Sequence, residues 1–231
     1  MPTRRSLLPW CAAVAAAVAL AGCSDVFRAD FETDVVGEAP SPAPPGAPEG
    51  DTVGFIAVEA TNAVTIAAGE AISGTRSLLL RGPTDGVTPV VVFNAAPVSN
   101  PDRPLTISYT GRFTGGGGVR LCVGSDTGAC IFVARLAGGR VTVNGADVGT
   151  YAEGGIHDVS LRLIPASDSY SVALSGDAAI LDAEGAQGIL PRPEDFPAEP
   201  LTFGVRLEDA GDTDAYLIDD VRIQVKPVAG L

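Results

Sequence analysis

Residues 216–225 read "YLIDDVRIQV", with two adjacent carboxylates in the middle of what is otherwise a strand. Successive side chains of a strand point to opposite faces. That rule places Leu217, Asp219, Val221, Ile223 and Val225 on one face. Tyr216, Ile218, Asp220, Arg222 and Gln224 share the other. Asp220 then lies beside Arg222 on the wetter face. Asp219 falls on the apolar face, where an unpaired charge is costly. The stretch predicts a buried strand whose acidic residue holds a specific partner.

The same period of two runs through the rest of the chain. In "PLTISYTGRF" (104–113) Leu105, Ile107 and Tyr109 alternate with Thr106, Ser108 and Thr110. "HDVSLRLI" (157–164) and "LTFGVRLE" (201–208) alternate in the same way, and "PVVVF" (89–93) is apolar throughout, as in a strand covered on both faces. Turn clusters such as "GPTDG", "SNPDRP", "TGGGG" and "PASDS" separate the runs. Many short strands with glycine-rich turns predict an all-β, antiparallel β-sandwich. Two stretches stand apart. The proline-rich residues 37–51 read either as a stalk or as a loop inside the domain, and residues 182–200 read as a long irregular connection.

Of the four cysteines, Cys122 and Cys130 flank a turn in "VRLCVGSDTGACIFV". Folding this stretch about Asp126 places Cys122 opposite Cys130, Leu121 opposite Ile131 and Val119 opposite Val133. Apolar residues then meet on one face, which predicts a cross-strand disulfide. Closing so short a loop contributes about 2–3 kcal/mol. Two thiolates without a nearby histidine leave zinc half-coordinated.

The N-terminus, "MPTRRSLLPWCAAVAAAVALAGC", has two arginines, a short apolar run and small residues before a cysteine. This is the plan of a secretory signal peptide. Leu20-Ala21-Gly22-Cys23 resembles the lipobox of bacterial lipoproteins. The resemblance implies removal of residues 1–22 and acyl chains on Cys23 that hold the protein in the membrane. Ser24 after the cysteine implies the outer membrane of the cell envelope by the enterobacterial sorting pattern. "TRRSLL" also resembles a twin-arginine signal, and the export route stays open between that and an ordinary leader. Cleavage leaves 209 residues and moves the formal charge from −13 to −15, since the leader holds Arg4 and Arg5 and no acid. An acidic chain with one lysine, Lys226, gives no electrostatic case for nucleic acid. The expected organisation is a leader (1–22), a lipidated N-terminal stretch with a first strand and a proline-rich tether or loop (23–52), and the sandwich (53–231), which Asp30–Glu32 join.

"ADFETD" (29–34), "HDVSLRLIPASDSYSVALSG" (157–176) and "AYLIDDVRIQV" (215–225) resemble landmarks of concanavalin-A-like jelly-roll modules. Carbohydrate-binding jelly rolls show a similar "F-E" opening and "I-D-D-V" closing. In several of these the first and last strands share a structural calcium ion. The matching positions are Glu32 and Asp219, with Asp30 or Asp220 assisting. The alternative is that Asp219 accepts backbone N–H groups or a hydroxyl and pins the terminal strands together, with no cofactor required.

Catalytic motifs are missing from the sequence. His157, the one histidine, shares parity with Val159 and Leu161 and reads as a cap on a core face rather than a base. There is no G-x-S-x-G elbow, and no "E-x-D-x-x-E" run of the kind carried by jelly-roll glycosidases. "SDTGA" (125–129) shares letters with aspartic proteases but occurs once, at a hairpin tip. With Trp10 in the leader, sugar stacking falls to tyrosines. Tyr109 and Tyr170 share parity with core residues, which leaves Tyr151 and Tyr216 as candidate ligand-binding platforms. The sequence therefore predicts no catalytic residue. It predicts a membrane-anchored structural or protein-interaction module, with a carbohydrate-binding module as the alternative.

Overall fold

The computed structural model describes residues 24–41, 56–59, 62–82, 86–94, 104–124, 130–164, 169–176, 180–181, 186–189 and 202–225. Every regular element among them is a strand. In chain order these are β1 (Ser24–Ala29), β2 (Ile56–Glu59), β3 (Val64–Ala68), β4 (Arg76–Arg81), β5 (Val90–Asn94), β6 (Leu105–Phe113), β7 (Gly118–Gly124) and β8 (Cys130–Ala137). They continue as β9 (Arg140–Val143), β10 (Ala146–Thr150), β11 (Ile156–Ile164), β12 (Ser169–Gly176), β13 (Ile180–Leu181), β14 (Ala186–Ile189), β15 (Thr202–Glu208) and β16 (Ala215–Val225).

They form two antiparallel sheets. One runs β14-β12-β11-β6-β16-β4-β3, with β1 also on β16, and the other runs β13-β10-β9-β8-β7-β15-β5-β2. This is the predicted antiparallel sandwich of jelly-roll type. The alternating apolar positions meet between the sheets. Its aromatic spine is Phe27, Phe93, Phe203, Tyr109, Tyr216, Phe113 and Tyr151, with successive ring centroids 4.6–6.5 Å apart. Val92, on the outer side of β5, is only partly covered, so "PVVVF" is not sealed on both faces.

β16 departs from simple alternation. It pairs with β6 along its length, with β4 through Ala215–Ile218, and then with β1 through Val221–Val225. Its register on β6 shifts between Asp219 and Arg222, and Asp220 takes a φ of 49°. This bulge resets the parity. Tyr216 and Ile218 face the core before it, and Val221, Ile223 and Val225 face the core after it. Leu217 packs instead on the outer side with Leu79, Ala215 and Ile72. A single face shared by Leu217, Asp219 and Val221 is therefore incorrect.

The sandwich starts before residue 53. β1 pairs with β16, and Phe27, Ala29 and Phe31 enter the core. The proline-rich stretch consequently lies between β1 and β2 in the chain, not between Cys23 and the domain. Its residues 42–51, the leader and Cys23 lie outside the described residues. Within 182–200, residues 186–189 form an edge strand on β12.

Cys122 and Cys130 are bonded, with Cα atoms 5.4 Å apart. The hairpin register differs from the expected one: Cys122 faces Val133, Val123 faces Phe132, and Cys130 faces Gly124, with a bulge beside it. Packing explains the shift. Phe132 is fully buried, its ring centroid 5.0 Å from that of Tyr170, so the even positions of β8 face the core rather than Val133.

Candidate functional site

The sequence-predicted acidic residues lie where β4 gives way to β1 along β16. Asp219 is fully buried beneath residues 72–77. Its Oδ2 accepts the Ser73 N–H (3.1 Å) and the Ser77 hydroxyl (2.8 Å), and its Oδ1 accepts the Asp220 N–H (2.8 Å). Ser73 Oγ also donates to Asp220 (2.9 Å). Burial holds the Asp219 carboxyl above its ordinary range, against the pull of the Ser77 and Ser73 bonds. Glu32 accepts the Thr75 N–H (2.9 Å), the Thr75 hydroxyl (2.7 Å) and the Arg76 N–H (3.2 Å), and the Thr75 bonds depress its pKa. Asp30 accepts the Glu32 N–H (3.3 Å).

Calcium needs six to eight oxygen lone pairs aimed at one point. Here the carboxylates of Glu32 and Asp219 face N–H and O–H donors. Among the described residues no three His, Cys, Asp or Glu side chains gather as metal ligands. In this arrangement the donor set does not make a calcium shell.

The two tyrosines offered as platforms are interior. Tyr216 is fully buried and Tyr151 is 6 % exposed, so neither presents a ring to a ligand. The bulge of β16 explains Tyr216, because it turns that half of the strand inward. Its hydroxyl lies 2.8 Å from His157 Nε2, over Gly111 of β6, where any Cβ would collide with both groups. His157 itself is buried, its Nδ1 3.3 Å from the Gly155 carbonyl, and desolvation lowers its pKa. "SDTGA" lies outside the described residues.

Among the described residues a groove of about 710 Å³ opens on the outer face of the second sheet. Pairing across three strands sets Arg135 of β8 opposite Arg120 of β7, and Arg120 opposite Arg206 of β15. Thr142 of β9 extends the row. Glu208 lies 3.3 Å from Arg135 and 4.0 Å from Arg120, and Asp209 pairs closely with Arg135. Arg206 is exposed and has no ion-pair partner among the described residues. Arg120 reaches to 3.9 Å from the Cys130 sulfur. A smaller hollow of about 350 Å³ on the first sheet is lined by Ser108, Thr110, Asp158, Ser160 and Arg222, and there Thr110 donates to Asp158.

Sequence reading missed the arginine row. Each arginine sits singly on the polar parity of its strand, in "VRL", "ARL" and "VRL", which reads as ordinary solvent-facing alternation. Only the register lines them up.

Solved structures share this architecture. The carbohydrate esterase of a Shiga toxin-encoding bacteriophage, phi24B, superposes with TM-score 0.58 at 12% identity, over 89% of this chain and 100% of that one. The lectin UEA-II in complex with galactose gives TM-score 0.49 at 11% identity, over 88% and 100%. A sialidase gives 0.48 at 14% identity over 70% of this chain, which spans only 17% of that protein. At these identities the likeness is one of fold. No protein-family model and no curated protein matches the chain.

Proposed function

We propose that this protein is a lipid-anchored carbohydrate-binding module of the cell envelope, and that its sugar site is the groove across β9, β8, β7 and β15. The observation that carries the reading is the Arg135–Glu208–Arg120 network. It fixes several planar hydrogen-bonding groups in one open groove on rigid strands, as recognition of a hydroxyl-rich ligand requires. The jelly-roll fold, shared over 89% of this chain with a protein described as a carbohydrate esterase, supports the same class of ligand. Aromatic stacking plays no part on the described walls, so hydrogen bonds and charge supply the affinity.

This reading displaces the structural or protein-interaction role. A large exposed apolar patch would favour a docking face. Among the described residues the large exposed apolar side chains are Val35, Val36 and Val87. Binding is proposed rather than cleavage, because both groove carboxylates are engaged by Arg135. The test is a glycan array with residues 24–231, which contain the whole described sandwich, followed by titration of the hits. Thr142→Trp fills the groove from the outer face of β9. It is expected to weaken binding about tenfold or more with the melting temperature unchanged. Failure of the array to return any sugar, or full binding by the variant, would sink the assignment.

A further inference from the structure

Among the described residues the groove holds more positive charge than its carboxylates neutralise: three arginines face two acids, in a chain of net charge −13. The acids are unevenly shared. Arg135 takes both, Arg120 has Glu208 only at 4.0 Å, and Arg206 has none among the described residues. Residues directly opposite in an antiparallel pair have Cα atoms roughly 4.5–5.5 Å apart. Arg120 and Arg206 are such a pair and both line the groove, so their side chains leave the same face from neighbouring strands. Like charges placed opposite one another weaken a sheet. A neutral residue at 206 would serve the fold better.

Resting on the glycan reading above, we propose that the Arg120–Arg206 pair seats a carboxylate, which makes the groove selective for acidic sugars. A planar carboxylate accepts two parallel N–H bonds from a guanidinium, a fit that a neutral hydroxyl does not reproduce. With the carboxylate over β7 and β15, the ring extends toward β8 and β9. Thr142 of β9, and the Glu208 and Asp209 carboxylates that pair with Arg135 of β8, meet its hydroxyls. The bound anion also removes the repulsion between the two arginines, so ligand binding and fold stability rise together.

The experiment compares sugars that differ in charge: trigalacturonate against its methyl ester, and sialyllactose against lactose. Residues 24–231 are titrated calorimetrically and melted with each sugar at low and at physiological salt. At least one acid is expected to bind about tenfold or more tightly than its neutral partner, to raise the melting temperature, and to lose affinity as salt rises. Arg206→Gln should abolish that preference without lowering the melting temperature of the free protein. Arg206→Lys, which keeps the charge and loses the fork, should abolish most of it. Arg162→Gln, on the outer face of the first sheet, removes the same charge elsewhere and should leave the preference intact. Neutral sugars binding as well as acidic ones would overturn the carboxylate seat and leave the glycan reading standing. Binding of neither kind would overturn both. A preference that survives Arg206→Gln, or one that Arg162→Gln also removes, would show that no seat exists at this pair.

Discussion

His157 shows how one residue carries both packing and a pH response. Its ring lies between Phe113, Tyr151 and Tyr216, with centroids 5.8–5.9 Å away, and its Nδ1 faces a carbonyl. The imidazole is neutral in the folded protein because burial disfavours the charged form. The sign follows from linkage. The unfolded chain takes up a proton near the ordinary histidine value while the folded protein does not. Stability is therefore full above about pH 6.5 and falls as the pH drops toward the depressed folded value. Urea unfolding between pH 7.5 and 5.5 is expected to show that decline, and His157→Gln should flatten it. The raised pKa of Asp219 acts in the opposite direction, adding stability as the pH falls through its folded value. Parity marked His157 as a core residue from the letters alone. Its partner, Tyr216, is 59 positions away and could be placed only by the fold.

At the scale of the element, β16 is a strand with a joint. β4 borders it before the bulge and β1 after it, and Asp219 fastens the turn that leads into β4. Asp219→Ala leaves the Ser77 hydroxyl and the Ser73 and Asp220 N–H groups without their acceptor. A loss of about 2–3 kcal/mol in urea unfolding is expected, with Asp219→Asn losing less because one acceptor survives. A chelator should leave the unfolding midpoint of the wild-type protein unchanged. A midpoint that falls in chelator and recovers with calcium would show an ion held by Glu32 and Asp219 instead. The adjacent acids were a legible sign that the strand breaks rhythm, but simple alternation could not tell a buried charge from a bulge. The hairpin of β7 and β8 repeats the lesson. Symmetry about Asp126 suggested one register, and the volume of Phe132 imposed another.

For the whole molecule, the first strand begins at Ser24, the residue after the expected lipidation site. Acyl chains on Cys23 would therefore draw the Ser24–Val225 end of the first sheet directly to the bilayer, with no stalk between. Cys23→Ser is expected to release the protein from the membrane fraction without changing the melting temperature of the sandwich. Wild-type protein that stays soluble after export would contradict the anchor. The sequence by itself determined the strands, the all-β class, the jelly-roll landmarks and the bonded cysteines. Those properties are written in local alternation, turn residues and short spacings. The register of the hairpin, the bulge of β16, the burial of Tyr151 and Tyr216, and the alignment of Arg120, Arg135 and Arg206 were decided only by tertiary structure. Each depends on which residues of distant strands come to lie side by side, and that is settled by packing large side chains into one shared core.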